Sequence, residues 1–300
     1  MRLIAAELTL AARQRAVRHE LQVMDTVTRY WHYAANVADA PSIIFIHGYR
    51  GNHRGLEAIA GALTEFNIFI PDLPGFGEST PFATAHSIDN YSWWVGEFIH
   101  KLGLAKKPHL LGHSFGSIVV SHHAAHAQDF QTLLLENPVS APALEGPKAF
   151  LTMIARGFFN LAQRLPGKFA TRVLKSWPMV RGMSIVMTKS RKRALRNWIH
   201  QQHDENFNDF ASNRVAFEGY NASISHNVSE YAPLFTKPTL LIIGSKDDIT
   251  SPKQQRQMAA LIPVEHHLVE HARVGHLTHY EIPELVAHDI RDFISNRNLS

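Results

Sequence analysis

Short apolar runs alternate with amphipathic stretches along the first half of the chain. "HELQVM" and "TVTRYWHYA" show period-two alternation and β-forming residues, which predicts a pair of strands. "SIIFIHG" is a continuous apolar run closed by glycine, the pattern of a strand buried on both faces. "HRGLEAIAGALTEF" has helical spacing. "NIFIPDLPGFGES" reads as a strand that runs into a Pro/Gly loop. "SIDNYSWWVGEFIHKLGL" predicts a helix that Ser87 or Asp89 can cap. "PHLLGHS" is the next strand, "FGSIVVSHHAAHAQ" a helix and "QTLLLENP" another strand.

The rhythm then changes. From about Ala141 to Tyr231 there is no clear buried strand. Helical stretches such as "KAFLTMIARGFFNLAQRL" and "KRALRNWIHQQ" are punctuated by Pro147, Pro166 and Pro178. Strand–helix alternation resumes with "KPTLLIIGSKDD", "SPKQQRQMAALI", "VEHHLVE" and "EIPELVAHDIRDFISN". Alternation on both sides of a helical insert predicts an α/β fold with a mostly parallel central sheet flanked by helices. The expected organisation is an N-terminal helical arm over 1–18, a core over 19–140 and 231–300, and a helical cap over 141–230.

Composition narrows the class. The chain is 45% hydrophobic and 19% charged, and no apolar run is long enough to span a bilayer. Glu7, followed by Arg13, Arg15 and Arg18, breaks the opening apolar stretch, so it reads as a helical arm and not as a signal peptide. There is no cysteine, which excludes disulfides, a thiolate nucleophile and Cys-based metal sites. A cytoplasmic location is the default. The net charge of +4 is unevenly spread: Gly146 to His203 holds twelve Lys or Arg and no Asp or Glu. With the insert's apolar residues (Phe150, Leu151, Met153, Ile154, Phe158, Phe159), that charge suits an anionic membrane surface or an acidic or lipid substrate. A solvated basic face over a packed apolar one explains the same residues. No nucleic-acid-binding module is recognisable, and no nucleic-acid partner is expected.

The chemistry gathers at "LLGHSFGSIVV". Gly112-His113-Ser114-Phe115-Gly116 fits G-x-S-x-G between a predicted strand and a predicted helix. A serine there is lifted above the carboxyl edge of the sheet and sits at a helix N-terminus, where backbone N–H groups can stabilise an oxyanion. Its hydroxyl needs a base, and the base an orienting carboxylate. Among twenty histidines, His276 stands in a Gly-flanked loop between the last strand and the last helix; His271 and His279 are nearby rivals. Asp247 and Asp248 follow the strand "LLIIG", and Glu136 ends "TLLLE" as a substitute acid.

Taken in order, five motifs resemble those of the α/β-hydrolase superfamily, over nearly all the chain outside the insert. They are "FIHGYRGN", "PDLPGFGES", "GHSFGS", "IIGSKDDITSP" and "GHLTHYEIPE". The resemblance implies a Ser114, Asp247 and His276 triad. It implies an oxyanion hole from the backbone N–H groups of Tyr49 and Phe115, and a structural role for His47. No metal or organic cofactor is implied. The expected activity is hydrolysis of a small-molecule or lipid-like carboxylic ester through an acyl-enzyme. Two alternatives are carbon–carbon bond hydrolysis of a diketone-like acid, which the cap arginines would suit, and a non-catalytic binding protein on the same scaffold.

Overall fold

The computed structural model describes residues 3–142, 157 and 164–296. An opening helix, α1 (Ile4–Arg15), leads into β1 (Ala16–Val23) and β2 (Thr26–Tyr33). Then come β3 (Ser42–Ile46), a 3-10 turn (His53–Leu56), α2 (Glu57–Ala62), β4 (Asn67–Pro71) and α3 (Ile88–Leu102). β5 (His109–His113), α4 (Phe115–His126) and β6 (Leu133–Glu136) follow. Four described helices precede the next strand: α5 (Gly167–Leu174), α6 (Trp177–Met187), α7 (Arg193–Asn206) and α8 (Asn213–Ser225). The chain closes with β7 (Thr239–Gly244), α9 (Pro252–Ala259), β8 (His266–His271), α10 (Thr278–Glu281) and α11 (Pro283–Ser295).

The strands form one sheet in the order β1-β2-β4-β3-β5-β6-β7-β8. β1 pairs antiparallel with β2, and β2 with β4; every later pairing is parallel. Alternation along each central strand splits the core into two layers. Ile44, Ile46, Leu110, Leu133 and Leu135 pack with Trp94, Phe98 and Val119 of α3 and α4. Ile43, Phe45, Leu111 and Leu134 pack with Ile59 of α2 and Val286, Ile290 and Phe293 of α11. Burial on both faces explains the unbroken apolar runs that carry these strands.

Several boundaries differ from the sequence reading. β1 starts at Ala16, so the arm's helix stops before residue 18. α2 is a short helix behind a 3-10 turn, not one long helix over "HRGLEAIAGALTEF". A Cβ on its Gly61 would lie 2.0 Å from the Leu8 carbonyl oxygen, so α1 crosses it closely. Arg15 then donates to the carbonyls of Ala60 and Leu63, satisfying groups that a longer helix would have bonded internally. The last predicted helix is α11, which starts at Pro283, where a missing N–H costs no helical bond; the short α10 before it was not foreseen. Ser87, not Asp89, caps α3 by accepting from Asn90 N–H. In the insert, "KRALRNWIHQQ" falls on α7 with Lys192 as its N-cap, while α5, α6 and α8 were not separately foreseen. The stretch "KAFLTMIARGFFNLAQRL" lies almost wholly outside the described residues.

Candidate active site

The junction of β5 and α4 is a forced turn. Ser114 has φ 52° and ψ −118°, a conformation that L-residues avoid without compensation. Three hydrogen bonds hold its backbone: Ser114 N–H donates to Glu136 O at 3.2 Å, and Ser117 donates to Ser114 O from both its N–H, at 2.9 Å, and its hydroxyl. The flanking glycines are steric necessities. A Cβ on Gly112 would stand 2.5 Å from the Gly116 carbonyl oxygen, and one on Gly116 2.2 Å from that of Ile46. Helix α4 therefore starts hard against the ends of β3 and β5, and its first turn opens towards the serine hydroxyl.

Ser114 Oγ lies 2.8 Å from His276 Nε2, and His276 Nδ1 lies 2.8 Å from Asp247 Oδ2. The three residues come from β5–α4, β7–α9 and β8–α10, and parallel pairing of β5, β6, β7 and β8 puts all three loops at one sheet edge. Asp247 is fixed on both oxygens. Oδ1 accepts the N–H groups of Ile249 and Thr250, and Oδ2 accepts Asn137 Nδ2 at 2.9 Å. Burial disfavours the His276 imidazolium, but the charge and hydrogen bond of Asp247, aided by Glu136, outweigh it and raise its pKa above 6.5.

The other acids and histidines go elsewhere. Asp248 pairs with Lys189. His271 bonds Asp289 at 2.6 Å, tying β8 to α11. The Glu136 carboxylate makes no hydrogen bond to His276 or Ser114; only its backbone carbonyl meets Ser114. It pairs with His113, accepts the His279 N–H at 3.1 Å and takes the Thr278 hydroxyl. Burial opposes its ionisation, yet His113 and His279 hold its pKa well below the usual value. Burial, joined by His113, pushes His279 down to about 4. One ligand atom from each of His113, Glu136 and His279 lies within 4.8 Å of the others, a spacing that could hold a divalent ion. Here hydrogen bonds join them, and the network braces the loop that carries His276.

His47 is buried, donates from Nδ1 to Gly48 O at 2.9 Å and accepts Leu73 N–H on Nε2 at 2.9 Å. Burial lowers its pKa to about 4, in keeping with that neutral tautomer. These bonds shape the loop that presents Tyr49. Among the described residues, the backbone N–H groups of Tyr49 and Phe115 have no hydrogen-bond partner. The Tyr49 hydroxyl instead donates to Ala216 O at 2.6 Å, linking the loop to α8. Asn137, with φ 45°, bonds Asp247, Gly275 O and Thr278 together. Sequence reasoning missed it: an asparagine after a strand looks like any turn residue.

A cavity of about 830 Å³ opens beside Ser114. Its lining includes Tyr49, Phe115, Val139, Tyr220 and Ile224, with Met179, Met183, Val186 and Met187 of α6. Among the described lining residues the only Asp, Glu, Lys or Arg is Asp248.

Residues 41–283 match the family model described as the alpha/beta hydrolase fold. The chain is 27% identical over 270 residues to "Lipase 1" of Psychrobacter immobilis, covering 87% of this chain and 78% of that one. It is 26% identical over 263 residues to "Lipase 3" of Moraxella sp. (strain TA144), covering 86% and 78% respectively. An esterase structure from Exiguobacterium antarcticum superposes with a TM-score of 0.74 at 17% identity, covering 93% of this chain and all of that one. With the match spanning most of its length and its sheet in the same architecture, the chain belongs to the alpha/beta hydrolase family and is a lipase- and esterase-like hydrolase.

Proposed function

We propose that the protein hydrolyses a carboxylic ester through an acyl-enzyme formed on Ser114. The observation that carries this is the pair of 2.8 Å contacts linking Ser114 Oγ, His276 and Asp247. In this reading His276 Nε2 takes the hydroxyl proton as Ser114 attacks the ester carbonyl, and Asp247 stabilises the resulting imidazolium. The Tyr49 and Phe115 N–H groups receive the oxyanion. His276 returns the proton to the departing alcohol, then activates the water that releases the acid. The described helices α5 to α8 act as a cap, and α6 supplies the methionine side of the cavity. That apolar, adaptable lining favours an acyl chain, and the lipases among the relatives agree with a lipid-like ester. A fluorophosphonate probe is expected to modify Ser114, read by peptide mass spectrometry. Hydrolysis should be measurable across p-nitrophenyl esters of increasing acyl length. No modification of Ser114 together with no turnover of any ester would leave the binding-protein reading in its place. Carbon–carbon cleavage of a diketone-like acid finds less support, since no Lys or Arg lines the cavity among the described residues.

The cap's charge supports a second part of this reading, peripheral contact with anionic lipid. Phe169, Trp177 and Ile185 are 52%, 60% and 60% exposed. Lys168, Arg172, Arg191, Lys192, Arg193 and Arg196 are exposed on the same run of helices. α6 thus shows apolar residues to solvent and lines the cavity as well. No helix is long and apolar enough to cross a membrane among the described residues, so such contact would be superficial. Flotation with phosphatidylglycerol vesicles at low salt should carry the protein upward and release it at high salt. Failure to float at low salt removes the membrane contact and leaves the ester chemistry untouched.

A further inference from the structure

The lining of the cavity is not uniformly apolar. A line of polar rings leads away from the nucleophile along one part of it. The His113 ring lies 4.2 Å from that of His279, His279 lies 4.3 Å from Tyr280, and Tyr280 lies 5.6 Å from His203. Gln202 and Asn206 continue this lining on α7, and Asn52 and Gly55 meet it from the 3-10 turn after β3. A Cβ placed on Gly55 would lie 3.6 Å from the Tyr280 hydroxyl, so the turn and α10 approach each other there.

The hydrogen-bonding capacity of this wall is only partly used. Gln202 is 6% exposed, and its Oε1 is buried without a partner. His203 uses Nδ1 on Ser184 Oγ at 2.7 Å, and its Nε2 has no partner among the described residues. The Tyr280 hydroxyl makes no hydrogen bond among the described residues. Asn52 accepts Arg54 N–H on Oδ1 and leaves its amide N–H₂ available. A buried polar atom without a partner, as Gln202 Oε1 is, is costly and rare, and with three further unused polar groups beside it on a cavity wall it calls for a ligand.

The two histidines beside Tyr280 are uncharged near neutral pH. Burial, reinforced by His279, lowers His203 to about 3, and His279 itself falls to about 4. The single carboxylate among the described lining residues that is outside the triad, Asp248, is tied to Lys189. Among the described lining residues a phosphate or carboxylate would find no Lys or Arg. A hydroxyl, which both donates and accepts, matches an amide oxygen beside a phenol and an imidazole.

We propose that Tyr280, Gln202, His203 and Asn52 form a subsite for the uncharged, hydroxyl-bearing alcohol portion of the ester, a polyol such as glycerol. The inference rests on the ester-hydrolase reading and adds the chemistry of the leaving alcohol to it. Attack by Ser114 breaks the acyl carbon–oxygen bond. The alcohol leaves with the proton from His276, and its remaining hydroxyls stay bonded to this wall while the acyl group stays on Ser114. Water then takes the acyl group, so ester and water become acid and polyol.

The test compares three esters of one acyl group: monohexanoylglycerol, methyl hexanoate and hexanoylglycerol phosphate. All are assayed as monomers, together with fluorophosphonate labelling of Ser114. The wild-type protein is expected to favour the glycerol ester over the methyl ester by about tenfold in kcat/KM, the scale of one or two neutral hydrogen bonds, and to disfavour the phosphate. Tyr280→Phe keeps the ring and removes only the hydroxyl; it and Gln202→Leu should each lower the glycerol-to-methyl ratio severalfold. A wild-type ratio near one, a preference for the phosphate ester, or an unchanged ratio in Tyr280→Phe overturns the subsite. Those outcomes, with Ser114 labelled and esters cleaved, leave the hydrolase reading standing. Absence of both labelling and cleavage ends both.

Discussion

Ser114→Ala is expected to lower ester hydrolysis on the order of 10⁶-fold in kcat, with the fold intact by circular dichroism and thermal melting. The size follows from the proposed mechanism: Ser114, His276 and Asp247 act as a unit in moving one proton from the hydroxyl to His276, so removing the nucleophile removes nearly all the chemistry the three supply together. Alanine adds no atoms to the tight junction between Gly112 and Gly116. It also leaves the backbone at φ 52° as unfavourable as before, because both residues carry a Cβ. Loss of rate therefore reports the hydroxyl and not the turn. The double variant Ser114→Ala with His276→Ala should cost little more than the single one, since a base with no nucleophile to serve contributes nothing. Wild-type turnover in Ser114→Ala, measured on p-nitrophenyl esters after single-turnover controls, would refute the assignment of the nucleophile.

Asp247→Asn should cost on the order of 10⁴-fold, through the tautomer and charge of His276 and not through loss of a reacting atom. Asp247 Oδ2 sits 2.8 Å from His276 Nδ1 and holds the proton there, which leaves Nε2 free to accept from Ser114. An asparagine amide can present N–H₂ to Nδ1 and so stabilise the opposite tautomer. The pH profile separates this from simple structural damage. The base works when neutral, so wild-type kcat/KM rises with pH through the His276 pKa, which the carboxylate holds above 6.5. Removing the negative charge removes what outweighed burial, and the acid limb should move to lower pH in Asp247→Asn. A profile with the acid limb unmoved, alongside full loss of rate, would place the damage in the fold of the acid loop. Asp247→Glu keeps the charge and is expected to retain the high acid limb at reduced rate.

Glu136 shows why one-dimensional reading leaves such assignments open. At the end of β6 it occupies a position from which a carboxylate could serve a nearby histidine, and the chain order alone does not separate it from Asp247. In space its two oxygens are already taken by His113, the His279 backbone and Thr278. It is a brace for the His276 loop, and its field adds to that of Asp247 from behind. Asp248 is likewise removed from contention by Lys189, a residue of the insert far away in the chain.

What the amino-acid order determined by itself is the set of local signals. Apolar runs specify buried strands, glycines mark where backbones must touch, and G-x-S-x-G between a strand and a helix dictates a strained turn with its hydroxyl exposed. These depend on near neighbours, so they survive without knowledge of the fold. The motif resemblance pointed to Asp247; tertiary structure alone decided what occupies Asp248 and Glu136 instead, that Asn137 fastens the acid loop to the histidine loop, and that the insert's cations stay off the described cavity wall while Gln202 and His203 line it. Those outcomes are set by contacts between segments more than a hundred residues apart in several cases, and by burial that shifts charge. Neither quantity is encoded in any short window of sequence.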